Sequence, residues 1–133
     1  MRLAVTVFCV SAAMPLLPTQ AGAAGARLVH FEPELVQLTG KLGRKAFLVN
    51  PGSGRESREL HYVLSLDEPV TVASERGDTR VEAEELQVAA SSEEGFETLL
   101  GRRVRLTGTL FPGHTRHHFT GVMIFARRAE QAR

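Results

Sequence analysis

The sequence predicts an all-β domain with one short helix, and three observations carry that reading. Apolar residues recur with a period of two through most of the chain beyond residue 30, as half-buried strands require. The period changes once, over "SSEEGFETLLG", where Phe96, Leu99 and Leu100 fall at helical spacing. Short stretches rich in Gly, Pro, Asn, Asp and Ser separate the periodic runs and read as turns.

The N-terminus is of a different kind. Arg2 precedes an apolar run from Leu3 to about Leu17, and Ala21 and Ala23 fit an A-x-A cleavage site. Residues 1–23 therefore read as a secretory signal peptide. The run is shorter than the roughly 20 residues of a spanning helix and is interrupted by Pro15 and Pro18, so no transmembrane helix is expected after cleavage. The expected location is periplasmic or secreted. Cys9, the sole cysteine, leaves with this segment, and Phe8 before it does not suit lipidation. What remains is a single domain, residues 24–128, with a polar tail at 129–133 expected to fray. It has no disulfide and must rely on one packed core. Removing Arg2 from the 16 basic groups leaves 15, against 15 acidic. A neutral domain with one Tyr and no Trp lacks the basic, aromatic-lined groove that nucleic acid demands, so no nucleic-acid partner is expected.

After a loose lead-in at "AGAR", Val36, Leu38, Gly40 and Leu42 alternate with Gln37, Thr39 and Lys41, and the run continues to Val49. This predicts one long, coiled first strand, with Gly40 and Gly43 marking a bend or bulge. "NPGSGRES" is a turn. In the second strand Leu60, Tyr62, Leu64 and Leu66 share a face, and Asp67 to Pro69 breaks or bulges it before Val70. "SERGDTR" has no apolar residue and is a solvated connection. Its Arg-Gly-Asp triplet, Arg76 to Asp78, reads as turn chemistry. Leu86, Val88 and Ala90 define the third strand. A helix of about two and a half turns follows, with Ser91 or Ser92 as N-cap, Glu93 and Glu94 in its first turn, and Gly101 as its left-handed stop. Its size suits a barrel plug. Val104, Leu106 and Leu110 face one way in the fourth strand, where Arg102, Arg103 and Arg105 suggest a blunted edge. "FTGVMIFAR" is the fifth strand, apolar enough to have both faces covered. "LTGKL" at Leu38 and "LTGTL" at Leu106 echo each other, as two strands each needing a glycine at a barrel bend.

Three strands, a short helix and two strands follow the order of a five-stranded Greek-key barrel of OB-like type, with the helix between the third and fourth strands.

The residues that stand out for function lie between the last two strands, in "FPGHTRHHFTG". Pro112-Gly113 marks a turn, placing His114 at the tip of the hairpin and His118 at the entry to the final strand. His114, His117 and His118 are candidate metal ligands, but adjacent strand residues point to opposite faces, so His117 and His118 should not address one ion. A transition-metal site would need further ligands from elsewhere, His61 or a glutamate among them. The same imidazoles and Thr115 can instead pin the hairpin backbone, or contact a ligand together with Arg116 and Thr120. No nucleophile elbow, phosphate loop or HExxH occurs, and no carboxylate is marked out as a general acid or base. An enzyme, such as a small hydrolase, is not expected.

Together, "FEPELVQLTGKL", "HYVLSLDEPV", "LLGRRVRLTGTLF" and "HTRHHFTGV" resemble a family of bacterial exported proteins, domain of unknown function 4431. That family carries a late H-T-x-H-H-x-T-x-V motif, which falls here on His114, Thr115, His117, His118, Thr120 and Val122. The resemblance spans about Leu28 to Arg127. It implies export and a small barrel, singles out the hairpin residues, and brings no established activity or cofactor with it. The expected function is a non-enzymatic binding or accessory module for an envelope protein, peptide or glycan. A metal- or pH-responsive protein using the same histidines is the alternative.

Overall fold

In the computed structural model, residues 27–133 are described; the expected signal peptide at 1–23 lies outside them. The elements are β1 (Arg27–His30), β2 (Leu35–Val49), β3 (Ser57–Ala73), β4 (Arg80–Ala90), α1 (Phe96–Leu99), β5 (Arg103–Pro112) and β6 (Val122–Gln131). β2 pairs antiparallel with β3, and β3 with β4. β4 then runs parallel to β6, from Gln87↔Met123 to Ala90↔Ala126. β6 returns antiparallel to β5, and β5 to β2, from Leu35↔Thr109 to Lys41↔Arg103. The circuit β2-β3-β4-β6-β5-β2 is closed, a five-stranded barrel, and β1 is an added strand lying parallel on β3. The lead-in at Arg27 thus belongs to the sheet. Its Leu28 and His30 flank a single buried residue, Val29, too short a run for periodicity to reveal.

Alternation sends Leu38 and Leu42, Leu64, Leu86 and Val88, Val104, Leu106 and Leu110, and Ile124 into one core. Closing the wall forces strands to coil and cross, and this is where the two LTG segments matter. Gly40 is paired on both sides, with Leu66 and Val104, and a Cβ there would land on the Ser65 carbonyl. Gly108, between Val36 and Ala126, would strike the Phe125 carbonyl in the same way. Each lies beside a slip in register, at Ser65/Val70 and Thr107/Gly108, so the expected break at Asp67 to Pro69 is a bulge that coils β3. Gly43, expected to share this role, faces open space and has no such need.

Four other sequence expectations are corrected. α1 is a single turn of four residues, preceded by left-handed Gly95 with no side-chain cap. Neither Ser91 nor Ser92 caps it, and Ser92 Oγ instead accepts the Glu94 N–H at 3.3 Å in the approach. The turn still plugs the barrel: Phe96 is buried and meets the Tyr62 ring edge-on at 5.2 Å, and Gly101 leaves it with positive φ. β5 is no edge, because it is paired with both β2 and β6. Its arginines form ion pairs instead, Arg103 with Asp67 at 2.7 Å and Arg105 with Glu130 at 3.9 Å. The final strand begins at Val122 rather than Phe119, and has Phe125 exposed on its outer face. The C-terminal tail does not fray: β6 continues to Gln131, and the Ala132 N–H donates to the Arg103 carbonyl at 2.8 Å.

The connections behave as their composition implies. At Arg76 to Asp78, Gly77 takes a positive φ and Ser74 Oγ donates to the Asp78 carboxylate, so Arg-Gly-Asp is the tight turn between β3 and β4. No helix among the described residues is long and apolar enough to cross a membrane.

Candidate functional site

The segment Gly113–Gly121 does not project from the barrel. It folds back onto the outer wall, where β3, β4 and β6 bring Val63, Gln87 and Met123 side by side. All three face outward by alternation, and all three are buried. Gln87, 3% exposed, is the anchor. Its Nε2 donates to the His117 carbonyl at 3.0 Å, and its Oε1 accepts the Phe119 N–H at 2.7 Å. Its own backbone N–H donates to Thr120 Oγ1 at 2.9 Å, and that hydroxyl donates to the Val122 carbonyl at 2.6 Å. One buried amide thus satisfies two loop backbone groups that would otherwise sit against apolar wall. The loop in turn explains why Val122, Met123 and Ile124 are buried consecutively.

Within this docked loop each candidate residue has a different employment. His114 Nδ1 donates to the Pro112 carbonyl at 2.9 Å, two residues back, beside the Gly113 N–H bond to the Gly121 carbonyl that closes the loop's neck. His118 Nδ1 accepts the N–H of His114 at 3.1 Å and of Thr115 at 3.4 Å, so its imidazole is neutral and part of the turn. Partial burial, then the neighbouring His114, His117 and His61, hold its pKa below the usual 6.5. Thr115 Oγ1 accepts the His117 N–H at 3.3 Å. Arg116 is exposed and makes no hydrogen bond or ion pair among the described residues. His117 leaves the loop altogether and donates from Nδ1 to Glu59 Oε1 at 2.7 Å.

That contact ties the hairpin to Glu59 and His61 on β3. The other oxygen of Glu59 accepts from His61 Nε2 at 2.9 Å, so one carboxylate bridges two imidazoles. The hydrogen bond from His61 is the largest cause keeping the Glu59 pKa below its ordinary 4.5; desolvation opposes it and His117 adds to it. Beside this bridge Phe119 stacks on Phe47, with ring centroids 4.5 Å apart and planes 8° from parallel. His61 tilts against both rings, and Lys45 Nζ lies 5.5 Å from the Phe47 centroid. The result is a half-exposed aromatic shelf with an acid–imidazole bridge along one side.

His114, His117 and His118 therefore do not meet at one point: the His114 and His118 rings lie edge-on with centroids 5.0 Å apart, while His117 turns away to Glu59. His117 and His118 bind different partners, and among the described residues no group of three or more His, Cys, Asp or Glu is gathered to hold a metal ion. His61 does join His117, but with Glu59 between them as a hydrogen-bonded bridge. Periodicity offers a faint signal for the missed residues. Glu59 and His61 are two apart and share a strand face, whereas Phe47 falls at an odd position of β2, out of step with buried Leu38 and Leu42. Gln87, polar between buried Leu86 and Val88, marks a wall covered from outside.

The molecule is thus defined as a small closed β-barrel with a histidine-rich hairpin clamped to its wall. The family model described as Domain of unknown function (DUF4431) matches residues 85–130, from β4 through the whole hairpin into β6, and supports the resemblance read from the sequence. No curated protein matches the chain.

Proposed function

We propose that this is an exported, periplasmic or secreted, non-enzymatic binding module. It uses the clamped hairpin and the adjoining shelf to hold an envelope protein, peptide or glycan. The observation that carries the reading is the clamp itself. Gln87 fixes Gly113–Gly121 in one conformation, so that Arg116 and His117 are exposed on the same loop that lays Phe119 on Phe47. A preorganised surface with aromatic, cationic and anionic groups binds without a large ordering cost. The circular strand order, with parallel β4 and β6 and a plug between β4 and β5, favours an OB-like barrel, whose loops are common binding edges.

The test is capture from envelope extract with the tagged protein and with Arg116→Glu/His117→Ser, a pair of exposed changes expected to leave stability nearly unaltered. The parent protein is expected to enrich a partner at least tenfold over the double variant. Equal recovery by both removes this face from binding.

A pH-responsive version of the same site is favoured by His118. Because its folded pKa lies below 6.5, the unfolded chain takes up the proton first as pH falls. Stability from this group is thus complete above pH 6.5 and is lost as pH drops from there toward the lowered folded value. Protonation would also set an N–H against two backbone donors. Melting temperature measured from pH 8 to 5 is expected to fall through this window. In His118→Asn, whose amide oxygen can accept in place of Nδ1, that slope should be largely absent. An unchanged slope in the variant would remove His118 as its source.

A further inference from the structure

The hairpin lies before β6, and the opposite end of that strand holds a different feature. Pairing of β6 with β4 stops at Ala90↔Ala126, whereas pairing with β5 continues to Val104↔Gln131. Among the described residues, no strand lies beside one edge of β6 beyond Ala126. The Ala132 N–H bond to the Arg103 carbonyl sets the phase of the ladder. By antiparallel alternation Arg128 and Glu130 turn their backbone groups toward β5, while Ala129 and Gln131 turn theirs away. A groove of about 570 Å³ lies there. On one side it is lined by the unbroken run Ala126–Gln131, and on the other by Ser92, Glu94, Thr98 and Leu99. A strand face would contribute alternate residues, so a consecutive run means that the edge itself faces the groove.

We propose that this groove takes an extended peptide segment, which adds to β6 as a strand through the backbone groups of Ala129 and Gln131. An open strand edge is a template for such addition. The wall at Ser92–Leu99 argues for an isolated segment rather than a second copy. A second β6 entering the groove would bring its own β5 into that wall. The charges point to a segment of mixed sign. Arg127 on the strand side and Glu94 on the wall side both line the groove and have no ion-pair partner among the described residues. Half-buried Leu99 and Ala129 give a small apolar side chain a floor against the core. This site is independent of the hairpin reading.

The experiment titrates a capped hexapeptide, Lys-Val-Thr-Val-Thr-Asp, into the ¹⁵N-labelled purified protein. Two analogues are N-methylated on alternate residues, in the two possible phases. The parent peptide is expected to shift the Ala129 and Gln131 amides saturably, with a dissociation constant on the order of 1 mM. One methylated phase should lose at least tenfold and the other little, because only one edge of the peptide meets β6. Thr98→Trp, an exposed change that fills the groove, should weaken binding at least tenfold, and Arg116→Glu should not. Absence of saturable shifts overturns the proposal, as does equal binding of both methylated phases. So does a shift of the same amides with protein concentration alone, which would make the occupant a second copy.

Discussion

Gly108→Ala is expected to lower the melting temperature by roughly 12 °C or more, the equivalent of about 3 kcal/mol in a domain of this size. Ordinarily a strand glycine replaced by alanine gains a little stability, because glycine gives up the most backbone freedom on folding. Here the new methyl has no room. It would coincide with the Phe125 carbonyl, and the obstructing atom is backbone paired into the ladder that closes the barrel. Relief requires β5 and β6 to separate where the register slips. Gly43→Ala is the matched control: its Cβ meets nothing within 4 Å among the described residues, so it should be neutral or slightly stabilising. Thermal unfolding of the two variants side by side checks the claim. A Gly108→Ala protein melting with the parent would mean that the two strands are not in contact at that point.

Gln87→Ala is expected to release the hairpin without opening the barrel. The change removes the donor to the His117 carbonyl and the acceptor for the Phe119 N–H, beside buried Met123. Leaving such groups unpaired costs about 1–3 kcal/mol each, but the loop can lift into water and recover them. The total should therefore settle near 2–3 kcal/mol, and the loss of order should be local. Hydrogen exchange at the Phe119 amide is expected to accelerate at least tenfold, while the amides of Leu64 and Leu106 stay protected. The Phe47–Phe119 stack and the His117–Glu59 bond should disappear with it, and with them the surface proposed for binding. Unchanged protection of Phe119 would show that something other than Gln87 holds the loop.

Most strand positions were legible because a barrel with one packed interior imposes a strict period of two, and Leu38, Leu42, Leu64, Leu86 and Leu106 obey it. The echoed glycines were legible for a related reason. Only glycine serves where a neighbouring carbonyl crosses, and two LTG segments in a short chain mark two such crossings. The helix was overread, because serines followed by glutamates suit an N-cap whether or not a helix begins there; Gly95, in the left-handed region, delayed the start to Phe96. The arginines of β5 were misread as edge residues, since a charged outward face looks the same whether its strand has one neighbour or two.

The site divides along the same line. Composition and spacing sufficed to single out His114, Thr115, Arg116, His117, His118 and Thr120, because an unusual residue type was concentrated between two strands. They could not say that His118 faces inward to the loop's own backbone while His117 reaches Glu59, which lies 58 positions earlier in the chain. Nor could they bring Phe47 under Phe119, or make Gln87 the clamp. By itself the sequence determined the alternation, the turns and the need for glycine, since these depend on a residue and its near neighbours. Which polar groups meet across the closed wall was decided only by tertiary structure, because barrel closure sets the register between distant strands and local preference carries no record of it.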